Sequence, residues 1–307
     1  MSWSNGAMLN QKPIFAVGFQ RGGTNILLNL LLSHPEVCMP RGETQFVFRG
    51  RRKTEPWIAH FTKLWTYLPI LISQRQDVFA ISLWEPRREF TPRTMRTIDR
   101  VLFRSKLDAL EPRQNLYKTE NVKYAPQEIS ASRLLCKNLN GLIFLTDEFY
   151  RMYPDATFIG LVRNGLALCE GHIRRGADPV RIASRYEKGC QKMIDDSNRM
   201  RSFHLIRFED LINQPMDSLR RIYEWVGLDI GLVRKIRLET KQVLTEEGRH
   251  EFVHGTGQRE LVWYDLEDFG RHFRRDVNKN QMRRLTDGQK QVILELAYSS
   301  LQHFGYT

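Results

Sequence analysis

The 307-residue chain has no run of 18 apolar residues, the length a bilayer-spanning helix requires. Segment 64–72 is too short and too interrupted to serve. No long apolar stretch precedes the first strand near position 12, so no secretory signal is expected and the chain is expected to be cytoplasmic. Cysteine is scarce. The four residues, Cys38, Cys136, Cys169 and Cys190, show neither Cys-x-x-Cys nor Cys/His metal spacing, and they read as buried free thiols of a reducing compartment. Repeats and low-complexity tracts are absent. Negative charge is in deficit, with 47 Lys and Arg against 35 Asp and Glu and a formal net charge of +12. An anionic partner follows from that imbalance: nucleic acid, acidic lipid, polyanionic glycan or nucleotide.

What is present is an ordinary globular composition, 41% hydrophobic and 27% charged. The length suits one large domain, 1–307, with a helical insertion at about 50–128 and a C-terminal lid loop and helix at about 240–307. Strand patterns at 13–19, 37–39, 133–136, 157–162 and 203–208 alternate with helical ones at 24–33, 142–153, from the turn at 163–165 to about 174, 179–200 and 209–226. The insertion carries helical patterns at 56–72 and 92–110. Residues 240–280 show no clear period, and 287–304 read as a last amphipathic helix. This rhythm predicts an α/β fold with a central, mainly parallel sheet and helices on both faces, its ligand at the carboxyl ends of the strands.

Residues 14–25, Ile-Phe-Ala-Val-Gly-Phe-Gln-Arg-Gly-Gly-Thr-Asn, are the most informative stretch. An apolar strand feeds a Gly-rich turn and then a helix N-terminus, which is a seat for phosphate or sulfate. Gly22 and Gly23 let backbone N–H groups approach an anion, and Thr24 adds a hydroxyl donor. The Lys-Ser/Thr ending of a nucleoside-triphosphate loop is missing, and Arg21 supplies the positive charge.

This segment resembles the 5′-phosphosulfate loop of the sulfotransferases that use 3′-phosphoadenosine 5′-phosphosulfate. The family loop commonly reads Pro-Arg-Ser-Gly-Thr-Thr; here Gln20, Gly22 and Asn25 replace Pro, Ser and the second Thr. Residues 158–175 resemble the 3′-phosphate segment, with Arg163 closing a strand. Gly171 stands where the family carries Ser, and Arg175 falls where the tyrosine-sulfating branch has a second Arg. Phe208-Glu-Asp-Leu with the helix to Leu228 resembles the "YEDL…FLGL" segment, placing Phe208 near an adenine. The stretch 275–285 and Phe304-Gly-Tyr resemble the lid and terminal helix, with Arg275 where a Lys meets the nucleotide. The resemblance implies a P-loop-type three-layer fold, and Gln20, Arg21, Gly22, Gly23, Thr24, Asn25, Arg163, Gly171, Arg175, Phe208 and Arg275 as donor-binding residues. It implies 3′,5′-ADP as product and no metal requirement.

Glu43, in Arg41-Gly-Glu-Thr, matches the Glu that serves as base in tyrosine-sulfating members. Lys137, after the strand 133–136, resembles the Lys that stabilises the bridging oxygen, and Arg21 is expected against the sulfonate and 5′-phosphate. The implied reaction moves a sulfuryl group to a hydroxyl acceptor, favouring a carbohydrate or small metabolite and leaving peptide tyrosine open. An anionic acceptor would suit the net charge. Neither a nucleic-acid partner nor a membrane span is expected, and a homodimer stays open. His34 reads as a helix-end cap and His172 as structural. His254 and His272 are candidates for the acceptor site, and Trp57, Trp65, Trp84, Trp263 and Tyr264 for a sugar floor. A P-loop kinase and a non-enzymatic polyanion binder remain as alternatives. The missing Gly-Lys-Ser/Thr argues against the first, and the Gly-Arg-Gly-Gly turn is unexplained by the second.

Overall fold

Five consecutive buried residues, Ile14–Gly18, form β1 at the centre of a parallel sheet. The computed structural model describes residues 9, 12–39, 43–44, 89–107, 126–240, 243–244, 250–251 and 260–307. After β1 come α1 (Thr24–Leu32), β2 (Val37–Cys38), α2 (Pro92–Leu107), α3 (Pro126–Ala131), β3 (Arg133–Leu139), α4 (Thr146–Met152) and β4 (Thr157–Val162). Then follow α5 (Gly165–Ile173), α6 (Pro179–Arg199), β5 (Phe203–Arg207), α7 (Phe208–Asn213) and α8 (Pro215–Val226). The C-terminal part holds β6 (Lys235–Thr240), β7 (Val243–Leu244), β8 (His250–Glu251), β9 (Glu260–Asp265), α9 (Val277–Met282), α10 (Asp287–Leu296) and α11 (Tyr298–His303).

The central sheet has the order β2-β3-β1-β4-β5 with every pairing parallel. Its strands are covered on both faces, which is why β1 and β4 are buried throughout and, apart from Thr157, carry no polar side chain. The two-residue side-chain period of β1 divides the core. Phe15 and Val17 pack on one side with Phe149, Phe158 and Tyr186, and Ile14 and Ala16 on the other with Leu27, Leu31, Leu219 and Ile222. Phe15 and Phe158, opposite each other in the ladder, stack with ring centroids 4.9 Å apart. The protein is thus an α/β, P-loop-type three-layer fold.

Several boundaries differ from the sequence pattern. β3 runs on to Leu139, so Lys137 lies within the strand and not after it. The segment 142–153 begins as a 3-10 turn at Asn140–Leu145 before α4. The helix expected over 209–226 is broken between α7 and α8, because Pro215 has no N–H to continue α7 and opens α8 at its first turn. The last helix divides at Ala297 into α10 and α11. Residues 240–280, without an evident period, take part in two antiparallel pairs, β6–β9 and β7–β8, and contain the start of α9. The helix expected at 56–72 lies outside the described residues, as does most of the 50–128 segment.

Among the described residues no helix is long and apolar enough to cross a membrane. All four cysteines are buried free thiols.

Candidate active site

β1 delivers the Gly-rich loop to the carboxyl edge of the sheet, between β3 and β4. The loop closes on itself through Gly22 N–H donating to Phe19 O at 3.1 Å. A Cβ at Gly22 would stand 3.0 Å from that same oxygen, so the family's Ser would crowd the turn. Arg21 adopts a left-handed φ of 67° and Gly23 one of 88°. At Gly23 a Cβ would fall 2.1 Å from the Phe208 ring, so only glycine fits there. Gln20 anchors the loop from outside: its N–H donates to Asn140 Oδ1 at 3.1 Å, and its carbonyl accepts from His172 Nε2 at 3.0 Å.

α1 therefore begins at a bare N-terminus. Gly23 provides no side-chain cap, and no acidic residue occupies the first turn. The partial positive charge of the helix end is left for something else to neutralise. Arg21 is exposed at this edge, and Arg174 and Arg175 follow at the end of α5. Partial burial first, and then the nearby Arg175 and Arg174 charges, lower the Arg21 pKa. An anion of more than one charge fits this chemistry.

The reacting candidates meet at the end of β3. Lys137, nearly buried, donates from Nζ to Asn25 Oδ1 at 2.8 Å and to Glu43 Oε1 at 3.0 Å. Three segments remote in sequence thus converge on one ammonium: the first turn of α1, the stretch after β2, and β3. The Glu43 side chain is 24% exposed against 5% for Lys137, so the carboxylate forms the open side of the pair.

Arg163, at the end of β4, has a different setting from a free phosphate ligand. It is 5% exposed, and its Nε donates to Asn278 Oδ1 at 2.8 Å, Nη1 to Arg21 O at 2.6 Å and Nη2 to Gln281 Oε1. Its guanidinium carbon lies 4.5 Å from the centroid of the Phe208 ring. Burial lowers its pKa to about 10, against the opposing pull of Glu209 and Glu170. Phe208 itself is a core residue, held between Arg163 and the Gly23 backbone.

The remaining candidates are dispersed. Gly171 lies buried in α5 beneath the Arg21 stem, and Arg175 turns back to donate to the Gly171 carbonyl. Thr24 is buried at the start of α1. Arg275 is exposed in the turn before α9. His34, read as a helix-end cap, is buried just past α1, where its ring bonds Asp229 O and Glu36 N–H. Tyr264 stacks on His272, and Trp263 is half-buried. Arg41, His254, Trp57, Trp65 and Trp84 lie outside the described residues. Among the described residues no group of three His, Cys, Asp or Glu could hold a metal ion.

Sequence reasoning missed Asn278, Gln281, Glu209 and Glu170. Glu209 accepts from Asn164 N–H at 3.1 Å, from Tyr306 O–H at 2.6 Å and from Asn278 Nδ2. Gln281 donates to Glu170 Oε2 at 3.1 Å. The available signal was the three-residue spacing of Asn278 and Gln281, which puts both amides on one helical face.

The family model described as "Sulfotransferase family" matches residues 13–231. Among solved structures, the chain is similar to the sulfotransferase domain of the Synechococcus PCC 7002 olefin synthase, at 15% identity over 97% of this chain and 98% of that one, TM-score 0.49. It is also similar to the sulfotransferase domain of the curacin biosynthetic pathway, at 13% identity over 97% and 99%, TM-score 0.46. A third is a sulfotransferase from Mycobacterium avium, at 13% identity over 98% and 79%, TM-score 0.43. No curated protein matches the chain.

Proposed function

The chain belongs to the sulfotransferase family, and from that premise we propose that it moves a sulfuryl group from 3′-phosphoadenosine 5′-phosphosulfate to a hydroxyl acceptor with Glu43 as general base. The observation that carries the reading is the convergence of Glu43, Lys137 and Asn25 beside the uncapped N-terminus of α1.

When bound, the donor supplies an activated sulfuryl group bonded through oxygen to its 5′-phosphate. The acceptor oxygen forms a bond to sulfur as the sulfur–oxygen bond to that phosphate breaks. The hydroxyl proton goes to the Glu43 carboxylate, whose Oε1 is already held by Lys137 and whose Oε2 takes the proton. Lys137 opposes the charge that develops on the leaving phosphate oxygen, and the α1 N-terminus holds the phosphosulfate end. These are positioning and electrostatic contributions, which dominate transfers of this kind. A single general base adds about 10²–10⁴-fold.

The acceptor class favoured is a carbohydrate or small-metabolite hydroxyl. Net charge of +12 favours one with anionic groups of its own. Incubation with the donor and a panel of sugars, small alcohols and tyrosine peptides, read by mass spectrometry, tests the reading through a gain of about 80 mass units, roughly one SO₃. Stabilisation by ATP with Mg²⁺, in place of 3′,5′-ADP, would instead point to a kinase.

A further inference from the structure

The backbone of Gln20 is held from two sides. Its N–H donates to Asn140 Oδ1 at 3.1 Å, and its carbonyl accepts from His172 Nε2 at 3.0 Å. A carbonyl only accepts, so the imidazole carries its hydrogen on Nε2. The first bond fixes the peptide plane between Phe19 and Gln20, and the second the plane between Gln20 and Arg21. With both planes held, φ and ψ of Gln20 are set from outside the loop.

The two holders come from different elements. Asn140 opens the 3-10 turn after β3 with a left-handed φ of 56°, a conformation that asparagine tolerates better than most side chains. It follows closely on Lys137, so one strand end carries the ammonium and braces the loop. His172 stands in the last turn of α5. Phe19, just before Gln20, is buried with its ring stacked on Tyr186, centroids 5.5 Å apart.

This bracing has an electrostatic consequence. Carbonyl oxygens repel an anion, and N–H groups attract one. Of the five carbonyls from Phe19 to Gly23, four are engaged within the protein. Phe19 O accepts from Gly22 N–H at 3.1 Å and Gly23 O from Ile26 N–H at 2.9 Å. Gln20 O accepts from His172, and Arg21 O from Arg163 Nη1 at 2.6 Å. The C=O and N–H of one trans peptide point to opposite sides, so the His172 bond to Gln20 O turns the Arg21 N–H the other way.

Resting on the donor reading above, we propose that Asn140 and His172 are positioning residues of the Gly-rich loop. They clamp Gln20 so that the carbonyls of the loop turn into the protein and its N–H groups toward the 5′-phosphosulfate. The Pro that the family loop commonly carries here would fix φ by its ring and has no N–H for the Asn140 bond. Gln20 leaves φ free, and the two side chains supply the restraint.

The test is isothermal titration of the full chain with 3′,5′-ADP and with adenosine 3′-monophosphate, which differ only in the 5′-phosphate. The wild type should prefer 3′,5′-ADP. Asn140→Gly and His172→Phe should each cut that preference by about 3- to 10-fold, the effect of one lost hydrogen bond, with affinity for the monophosphate nearly unchanged. Glycine adopts the left-handed φ freely, so Asn140→Gly should melt level with the wild type or above it. A merely structural Asn140 would move the melting temperature and leave the preference alone. His172→Gln keeps an N–H donor on a side chain of similar reach and should hold the preference within about 2-fold. It also covers the case in which His172→Phe does not fold. An undiminished preference in Asn140→Gly and His172→Phe, or equal losses in His172→Gln and His172→Phe, overturns the inference alone. A wild type that binds both nucleotides equally overturns it too, because the loop then holds no 5′-phosphate. A wild type that binds neither overturns the donor reading and the inference with it.

Discussion

Lys137 and Glu43 form an ion pair at 3.0 Å in which the cation is nearly buried and the carboxylate half-open. The asymmetry assigns their tasks. A base must be reached by the acceptor hydroxyl, whereas a group opposing charge on a leaving oxygen works best shielded from water.

Glu43→Gln keeps the shape of the side chain and an oxygen for Lys137, and removes the proton acceptor. Transfer should fall by about 10²–10⁴-fold. Affinity for 3′,5′-ADP should change little, since that product carries neither the sulfuryl group nor the acceptor hydroxyl that the base serves. Single-turnover rates beside calorimetric titration check both parts, and an active variant would move the base elsewhere.

Asn25 accepts from Lys137 at 2.8 Å and so fixes where the ammonium points. Asn25→Ala should lower kcat by roughly 10–100-fold, the loss of one hydrogen bond to a charged group, with a smaller change in KM for the donor. Asn25→Asp restores an acceptor for Lys137 and should recover part of kcat. Equal kcat in both variants would show that Lys137 needs no such holder.

Two glycines should respond to alanine in opposite ways. Gly23→Ala sets a Cβ 2.1 Å from the Phe208 ring at a left-handed φ of 88°, a clash with core atoms that costs roughly 2–5 kcal/mol of stability. In Gly171→Ala the nearest contact is 3.4 Å, and interior α5 gains up to about 1 kcal/mol of helix propensity. Calorimetric melting should show Gly23→Ala well below the wild type and Gly171→Ala level with it or above.

The central sheet was legible because β1 and β4 are buried on both faces and read as apolar runs, 14–18 and 158–162. The loop, Lys137 and Glu43 were legible as separate motifs, and the sequence had no means to show that they share an ion pair. β6 was obscured by Arg237, which is 4% exposed in the position of a core residue. It is accommodated there because its Nε donates to Asn29 Oδ1 at 3.1 Å and its backbone N–H to Ser33 Oγ at 2.9 Å. Those partners lie more than 200 residues away. The setting of Arg163 was hidden for the same reason, since Asn278 and Gln281 come from α9. Local pattern reports which face a residue presents, and not which distant amide will meet it.

Protonation of His34 should destabilise the fold as pH falls. The ring is fully buried, its Nε2 donates to Asp229 O at 3.1 Å, and its Nδ1 accepts from Glu36 N–H at 3.2 Å. The backbone partners require the neutral tautomer with hydrogen on Nε2, and a proton on Nδ1 would break the Glu36 bond. Burial lowers the pKa despite the Asp229 carbonyl and the Glu36 and Asp229 charges, and Arg133 adds to the lowering. His172 and His204 are lowered for the same first reason. Each group then binds its proton more readily unfolded than folded. Stability is therefore fully present above the ordinary histidine value of about 6.5, and declines as pH drops from there through the lowered folded values. One such histidine gives a slope of at most about 1.4 kcal/mol per pH unit. Glu148 and Asp196, whose carboxyl pKa values burial raises, act with the opposite sign from the ordinary carboxylate range upward. A variant is needed to isolate the histidine. His34→Gln can accept from Glu36 through its oxygen and donate to Asp229 through its nitrogen, and it does not titrate. Denaturant unfolding from pH 7.5 to 5 should show a shallower acid decline in His34→Gln than in the wild type, by up to one proton. Parallel declines would place the pH response on other groups.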